Sequence, residues 1–133
     1  GWGPENDPTC LAVQALIAGG EPKDSASIRA ALDFIKAQQN EDGGFPTIKP
    51  SDWGTDTNAN STASVMMALA AAGENPLGSR WTIGDANPVT ALLGLQVEDG
   101  KIESQPGVGS PLMATTQAIL GLLGRMLPLD TRA

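Results

Sequence analysis

The stretch VQALIAGGEP at 13–22 returns as MMALAAAGENP at 66–76, an offset of 53 residues up to the shared Glu. TQAIL at 116–120 matches VQALI at 13–17. A second element recurs beside it: Gln39-Asn-Glu-Asp-Gly-Gly-Phe45 pairs with Gln96-Val-Glu-Asp-Gly-Lys-Ile102. An apolar run and a glycine turn that return together define a unit of about 50–57 residues, which is the signature of a repeat architecture. Such a unit buries its apolar face only against the next unit, so the repeat limits the fold to stacked copies.

Each apolar run carries helix punctuation. Asp7-Pro8 reads as N-cap and first helical residue, and Gly19-Gly20 as the stop. That places helices at 8–18, 25–39, 60–72, 88–96 and 111–126, with Asp24 or Ser25 capping the second, Asn87-Pro88 opening the fourth and Ser110-Pro111 the fifth. In the second, Ile28, Ala31, Leu32 and Ile35 share a face, while Arg29, Asp33 and Lys36 lie off it. The third is apolar around most of its circumference and should be buried on several sides, with Met66 and Met67 as core. Nothing alternates with period two, and aromatic residues make up only 4% of the chain, which suits packed helices better than a sheet. The reading is all-α, one domain over 1–133, with helix over more than half the chain.

Composition narrows the function. A net charge of −7 lacks the basic footprint of a nucleic-acid or anionic-membrane binder. No apolar run reaches the ~20 residues a membrane span needs. His is absent, which removes the commonest general base and metal ligand. Cys10, the only cysteine, sits in an apolar run where a buried inert thiol is expected.

Arg29-Ala30, Phe34-Ile35, Gln39, Gly43 and Phe45 resemble the QW repeat of squalene and oxidosqualene cyclases, with Phe45 in place of the Trp. A weaker copy holds Leu92, Gln96 and Gly100, with Ala91 and Ile102 where aromatics stand. Gly1-Trp2-Gly3 looks like the tail of an earlier copy of the turn. The chain thus looks like part of the terpenoid cyclase and protein prenyltransferase superfamily. The resemblance implies an α/α toroid with 25–39 and 88–96 as outer helices and 8–18, 60–72 and 111–126 as inner ones. This chain would be an incomplete arc of about five helices from a longer repeat protein. In the motif Gln39 bridges backbone groups at helix ends, the glycine permits the turn and Phe45 packs over it.

Fold does not fix chemistry. The family's acidic proton-donor element aligns with Asn58-Ala59-Asn60-Ser61-Thr62-Ala63, and an amide cannot supply that proton. The same columns in the first repeat hold Glu5-Asn6-Asp7-Pro8-Thr9-Cys10, where helix capping is the favoured account of Asp7. The family's Asp/Cys/His zinc site needs a His this chain lacks. The expectation is therefore a non-catalytic binding or scaffold module without cofactor or metal; the alternative is a fragment of a cyclase or prenyltransferase-like enzyme with its chemistry elsewhere. Asn58, Asn60, Thr62, Trp53 and Trp81 are candidates to face a small apolar ligand, although the two tryptophans read more readily as packed over hairpin ends. Glu41-Asp42 and Glu98-Asp99 read as solvated turn acids rather than Ca²⁺ ligands, and Asn60-Ser61-Thr62 as a chance glycosylation sequon at a buried helix start. The apolar helix 111–127 is expected to dock on further repeats of a parent chain or on a second copy, and an extracellular or cell-surface setting is favoured.

Overall fold

The computed structural model describes residues 5–129; Gly1-Trp2-Gly3, read as an earlier turn, lies outside them. Five α-helices follow one another: α1 (Asn6–Ala18), α2 (Ala26–Ala37), α3 (Ala59–Ala72), α4 (Pro88–Leu93) and α5 (Pro111–Leu122). A single 3-10 turn, Ser79–Trp81, precedes α4. Among the described residues there is no strand, only isolated β-bridges inside turns, so the all-α class holds.

Helix content is lower than the sequence suggests, with α-helix over less than half of the described residues. The loss is at C-termini. α2 stops at Ala37 rather than Gln39, α4 at Leu93 rather than Gln96, and α5 at Leu122 rather than Met126. In each case residues of good helical propensity are drawn into a turn. Gln38 and Gln39 leave α2 because their side chains bond backbone outside it: Gln38 Nε2 reaches Lys49 O at 2.9 Å and Gln39 Nε2 reaches Trp81 O at 2.7 Å. The N-termini follow the capping rules more closely. Ser25, Asn58 and Ser110 each accept from the backbone N–H three residues on, and Asn87 forms a full capping box with Thr90. Asp7 is the exception. The N-cap of α1 is Glu5, which makes no side-chain cap, and Asp7 lies inside the first turn.

α1, α3 and α5 lie side by side in one row with their first turns together. Ser61 donates from α3 to Asp7 of α1, and Asn60 of α3 donates to Gln117 of α5. α2 closes the seam between α1 and α3: Ile28, Leu32 and Ile35 meet Cys10, Val13, Val65 and Leu69 in one core. α4 closes the seam between α3 and α5, where Leu92 meets Ala59, Ala63, Met66, Ala114 and Ala118. α3 belongs to both seams, which is why its apolar residues run around it; Met66 and Met67 are both buried. Cys10 is also fully buried, and removal from water pushes its thiol pKa well up, so it behaves as a small hydrophobe.

Two bonds give the repeat its register. Phe45 N–H donates to Thr62 Oγ1 at 3.0 Å, and Ile102 N–H donates to Thr115 Oγ1 at 2.9 Å. Thr9, Thr62 and Thr115 stand 53 residues apart, so the row helices superpose at that spacing. This shifts the sequence match of TQAIL with VQALI by three residues, about one helical turn: Gln14 corresponds to Met67 and Leu120, not to Gln117. The turns repeat in the same detail. Gln39 Nε2 donates to Gly43 O at 3.0 Å and Gln96 Nε2 to Gly100 O at 3.1 Å. Gly43 and Gly100 take left-handed φ of 84° and 86°. At Gly43 a Cβ would also lie 2.6 Å from the Cα of Asn87, so only glycine admits the α4 N-terminus there.

Candidate binding groove on the helix row

The residues singled out in the sequence separate into three groups. The first is structural. Phe45 is fully buried and tilts against Trp81, with ring centroids 6.3 Å apart. Trp81 is itself fully buried, its Nε1–H donating to Glu74 at 2.9 Å and the Arg80 guanidinium 5.2 Å above its ring. Arg80 also pairs with Asp33 at 2.8 Å and Glu74 at 3.0 Å, tying the loop before α4 to α2 and to the end of α3. Lys36 lies 5.9 Å from the same ring; partial burial, and then the Arg80 charge, hold its ammonium pKa below the usual lysine value. Trp81 is thus a fully buried core residue. Thr62 is fully buried between Phe45 N–H and Asn58 O; Asn58 is the α3 cap and also lines, with Trp53 and Asn60, an open pocket of about 490 Å³. Phe34 packs partly buried against the first core, and Arg29 bonds the carbonyl of Asp24.

The second group is exposed. Trp53 is 98% exposed and packs over no hairpin end, against the sequence reading. The turn acids close on themselves: Asp42 accepts from Gly44 N–H at 2.9 Å and Thr57 Oγ1 at 2.7 Å, and Asp99 pairs with Lys101. That pairing, with hydrogen bonds from Lys101 foremost, holds the Asp99 carboxyl below and the Lys101 ammonium above their ordinary pKa ranges. Among the described residues no group of three or more Cys, Asp and Glu side chains is placed to hold a metal ion. An open cleft of about 810 Å³ runs from this turn to α4. Asn40, Thr57 and Asp42 on its wall already bond one another.

The third group lies on the face of the row turned away from α2 and α4. A groove of about 490 Å³ crosses all three row helices, and a cavity of about 390 Å³ adjoins it toward their N-termini. In the repeat register the lining falls into three columns: Asp7, Asn60 and Met113; Leu11, Ser64 and Gln117; Gln14, Met67 and Leu120. Asn60 is the one sequence candidate that reaches this face. It is half-buried, donating to Gln117 Oε1 at 2.7 Å and accepting from Ser104 Oγ at 2.6 Å, which also occupies the amide of the sequon. Gln14 Oε1 accepts from Leu127 N–H at 2.7 Å, folding the segment after α5 against α1.

Asp7 is the residue the sequence reading misplaced. Relieved of capping, it stands at the edge of the groove. Its Oδ2 accepts from Ser61 Oγ at 3.2 Å; its Oδ1, closed off from water, has no well-formed hydrogen bond. Burial pushes its carboxyl pKa above the usual range. The Ser64 and Ser61 hydroxyls pull the other way, and Glu5 adds to the rise. The signal was present in the repeat: Asp7 shares a column with Asn60, which lies within the first turn of α3 and not at its cap.

No protein-family model, curated protein or solved structure matches this chain. Among the described residues no helix is long and apolar enough to cross a membrane.

Proposed function

We propose that this chain is a non-catalytic α/α repeat domain acting as a binding or scaffold module, of the kind built by the terpenoid cyclase and prenyltransferase superfamily. One observation carries the reading: the threonine that sets the register is the same in all three row helices, and the positions that line the groove differ from copy to copy. Thr9, Thr62 and Thr115 are identical, and Val13, Met66 and Ile119 are all apolar. The groove columns instead run Asp, Asn, Met; Leu, Ser, Gln; and Gln, Met, Leu. A constant frame with a varied face is how repeat proteins present a recognition surface. The groove wall around Leu11, Met67 and Leu120 fits a small apolar molecule, and Asp7, Asn60 and Gln117 provide a polar end.

The test is a titration of the whole chain with farnesol, dodecanol and decane, read on the methyl resonances of Met67 and Leu120. Saturable shifts there, abolished by Ser64→Phe, support the reading. Shifts spread over exposed positions such as Leu112, or none with any probe, count against a ligand groove. The second reading, a fragment of a cyclase or prenyltransferase-like enzyme with its chemistry on other repeats, has Asp7 in its favour. Its half-buried carboxyl with a raised pKa stands in the proton-donor columns, and partner groups would come from elsewhere. Product formed from squalene or farnesyl diphosphate by the purified chain would establish that reading over ours.

A further inference from the structure

The row of helices has two different flanks, and the repeat register says what each one fits. Inside the molecule, α1 meets α3 through Cys10 and Val13, and α3 meets α5 through the equivalent Ala63 and Met66 together with Ala59; Asn6, in the column of Ala59, is buried with its amide on the Pro46 carbonyl. The receiving side is equally regular. α3 presents Ser61, Val65 and Ala68, all fully buried, and α5 presents the equivalent Ala114, Ala118 and Gly121. The fit is close: a Cβ on Gly121 would lie 3.3 Å from Met66 Cβ and 3.2 Å from Ala63 O. Both faces appear once more at the ends of the row, with nothing among the described residues covering them. On α5 the register continues the first face as Leu112, Thr116 and Ile119, and the two apolar ones are 78% and 48% exposed. On α1 it continues the receiving face as Pro8, Ala12 and Ala15, small and exposed.

We infer that the α5 flank of one copy docks on the α1 flank of another, head to tail, so that a second copy of this chain continues the helix row. The inference rests on the repeat-scaffold reading, and its partner is identified by continuity: the uncovered flanks are the two halves of an interface the molecule already builds twice. Like every contact between unlike patches it does not close on itself in a pair, so association produces a series rather than a two-fold dimer. Burying Leu112, Ile119 and Leu123 supplies the apolar drive.

The experiment uses two variants of the full chain. Leu112→Glu with Ile119→Glu blocks the α5 flank; Ala12→Glu with Ala15→Glu blocks the α1 flank. Sedimentation velocity of the parent should show a coefficient that rises steadily with concentration. Each variant alone should sediment as a monomer, and an equimolar mixture should form a one-to-one dimer that grows no further. If the α1 variant alone still dimerises, the contact is two-fold through α5 and the inference fails; a monomeric parent overturns it too. Because charged variants can disturb folding, a second measurement uses single cysteines at Ile119 and Ala15 in a background with Cys10→Ala. These positions correspond to Met66 and Gly121. Oxidation of a mixture should give a covalent dimer of one variant with the other in excess of either homodimer, and the reverse ratio overturns the docking. Neither readout involves the groove, so failure here and failure of ligand binding are separable.

Discussion

Thr62 and Thr115 hold the repeat together through one hydroxyl each, donating to the preceding helical turn or the loop and accepting the N–H of Phe45 or Ile102. The ring that follows at Phe45 is sealed by Trp81, so its removal leaves a cavity. Phe45→Ala is expected to lower stability by about 3–5 kcal/mol in urea unfolding; a loss under ~0.5 kcal/mol would mean that the ring contributes nothing to the seam. Asp7 makes a pH prediction. Its folded pKa is raised, so the fold binds the proton more tightly than the unfolded chain does. Its contribution to stability is full below the unfolded pKa and is lost as pH rises through the folded one. Asp7→Asn keeps an acceptor for Ser61 and matches the Asn60 of the next repeat. The variant should gain on the parent as pH climbs from 3 to 7, with little difference at the acid end. An equal shift of the midpoint at both pH values would show that ionisation of Asp7 is not what the fold resists.

At the scale of elements, the turns matter as much as the helices. α4 has only six residues and would not persist alone. It is held by its capping box, by Leu92 in the second core and by the close pass of Asn87 over Gly43. Gly43→Ala combines a left-handed φ with a Cβ pressed against backbone, neither of which can relax by side-chain rotation. It should cost well over the ~1 kcal/mol of a simple left-handed Gly→Ala change and selectively expose α4 amides. Gly100→Ala, at nearly the same φ, meets nothing nearer than 4.0 Å and should cost only the conformational part. Equal losses at the two glycines, measured by thermal unfolding, would refute the close-approach account. The sequence showed the glycines, caps and apolar faces because these are local. It placed the ends of α1 and α3 at Ala18 and Ala72 but not those of α2 and α4, because Gln38, Gln39 and Gln96 leave good helical positions for bonds to turns, one of them 42 residues away.

For the whole molecule, α3 is the shared wall of both cores, and α1 and α5 each take part in one. Native-state hydrogen exchange should therefore be slowest in the middle of α3, around Val65 to Leu69, and faster in α5, whose outer flank is open in a single copy. Protection of α5 equal to that of α3 in dilute solution would contradict this order. If copies stack as inferred, the difference should shrink as concentration rises, since the α5 flank is then covered.

The sequence by itself determined the helical class, the repeat and the glycine turns, because each depends on spacing, propensity and caps within a few residues. It also marked Gln39, Gly43 and Phe45 as architecture, since a residue that recurs with its turn is serving that turn. Tertiary structure decided the rest. It carried the 53-residue offset, already legible between the first two copies, to the third through the threonine bonds, where the TQAIL match slipped by a turn because alanine-rich helices look alike in several frames. It put Trp81 in the core and left Trp53 in solvent, though both sit in similar loops. It also moved Asp7 from a cap to the edge of a groove. A column running across three helices exists only once those helices lie side by side, and no stretch of the chain contains it.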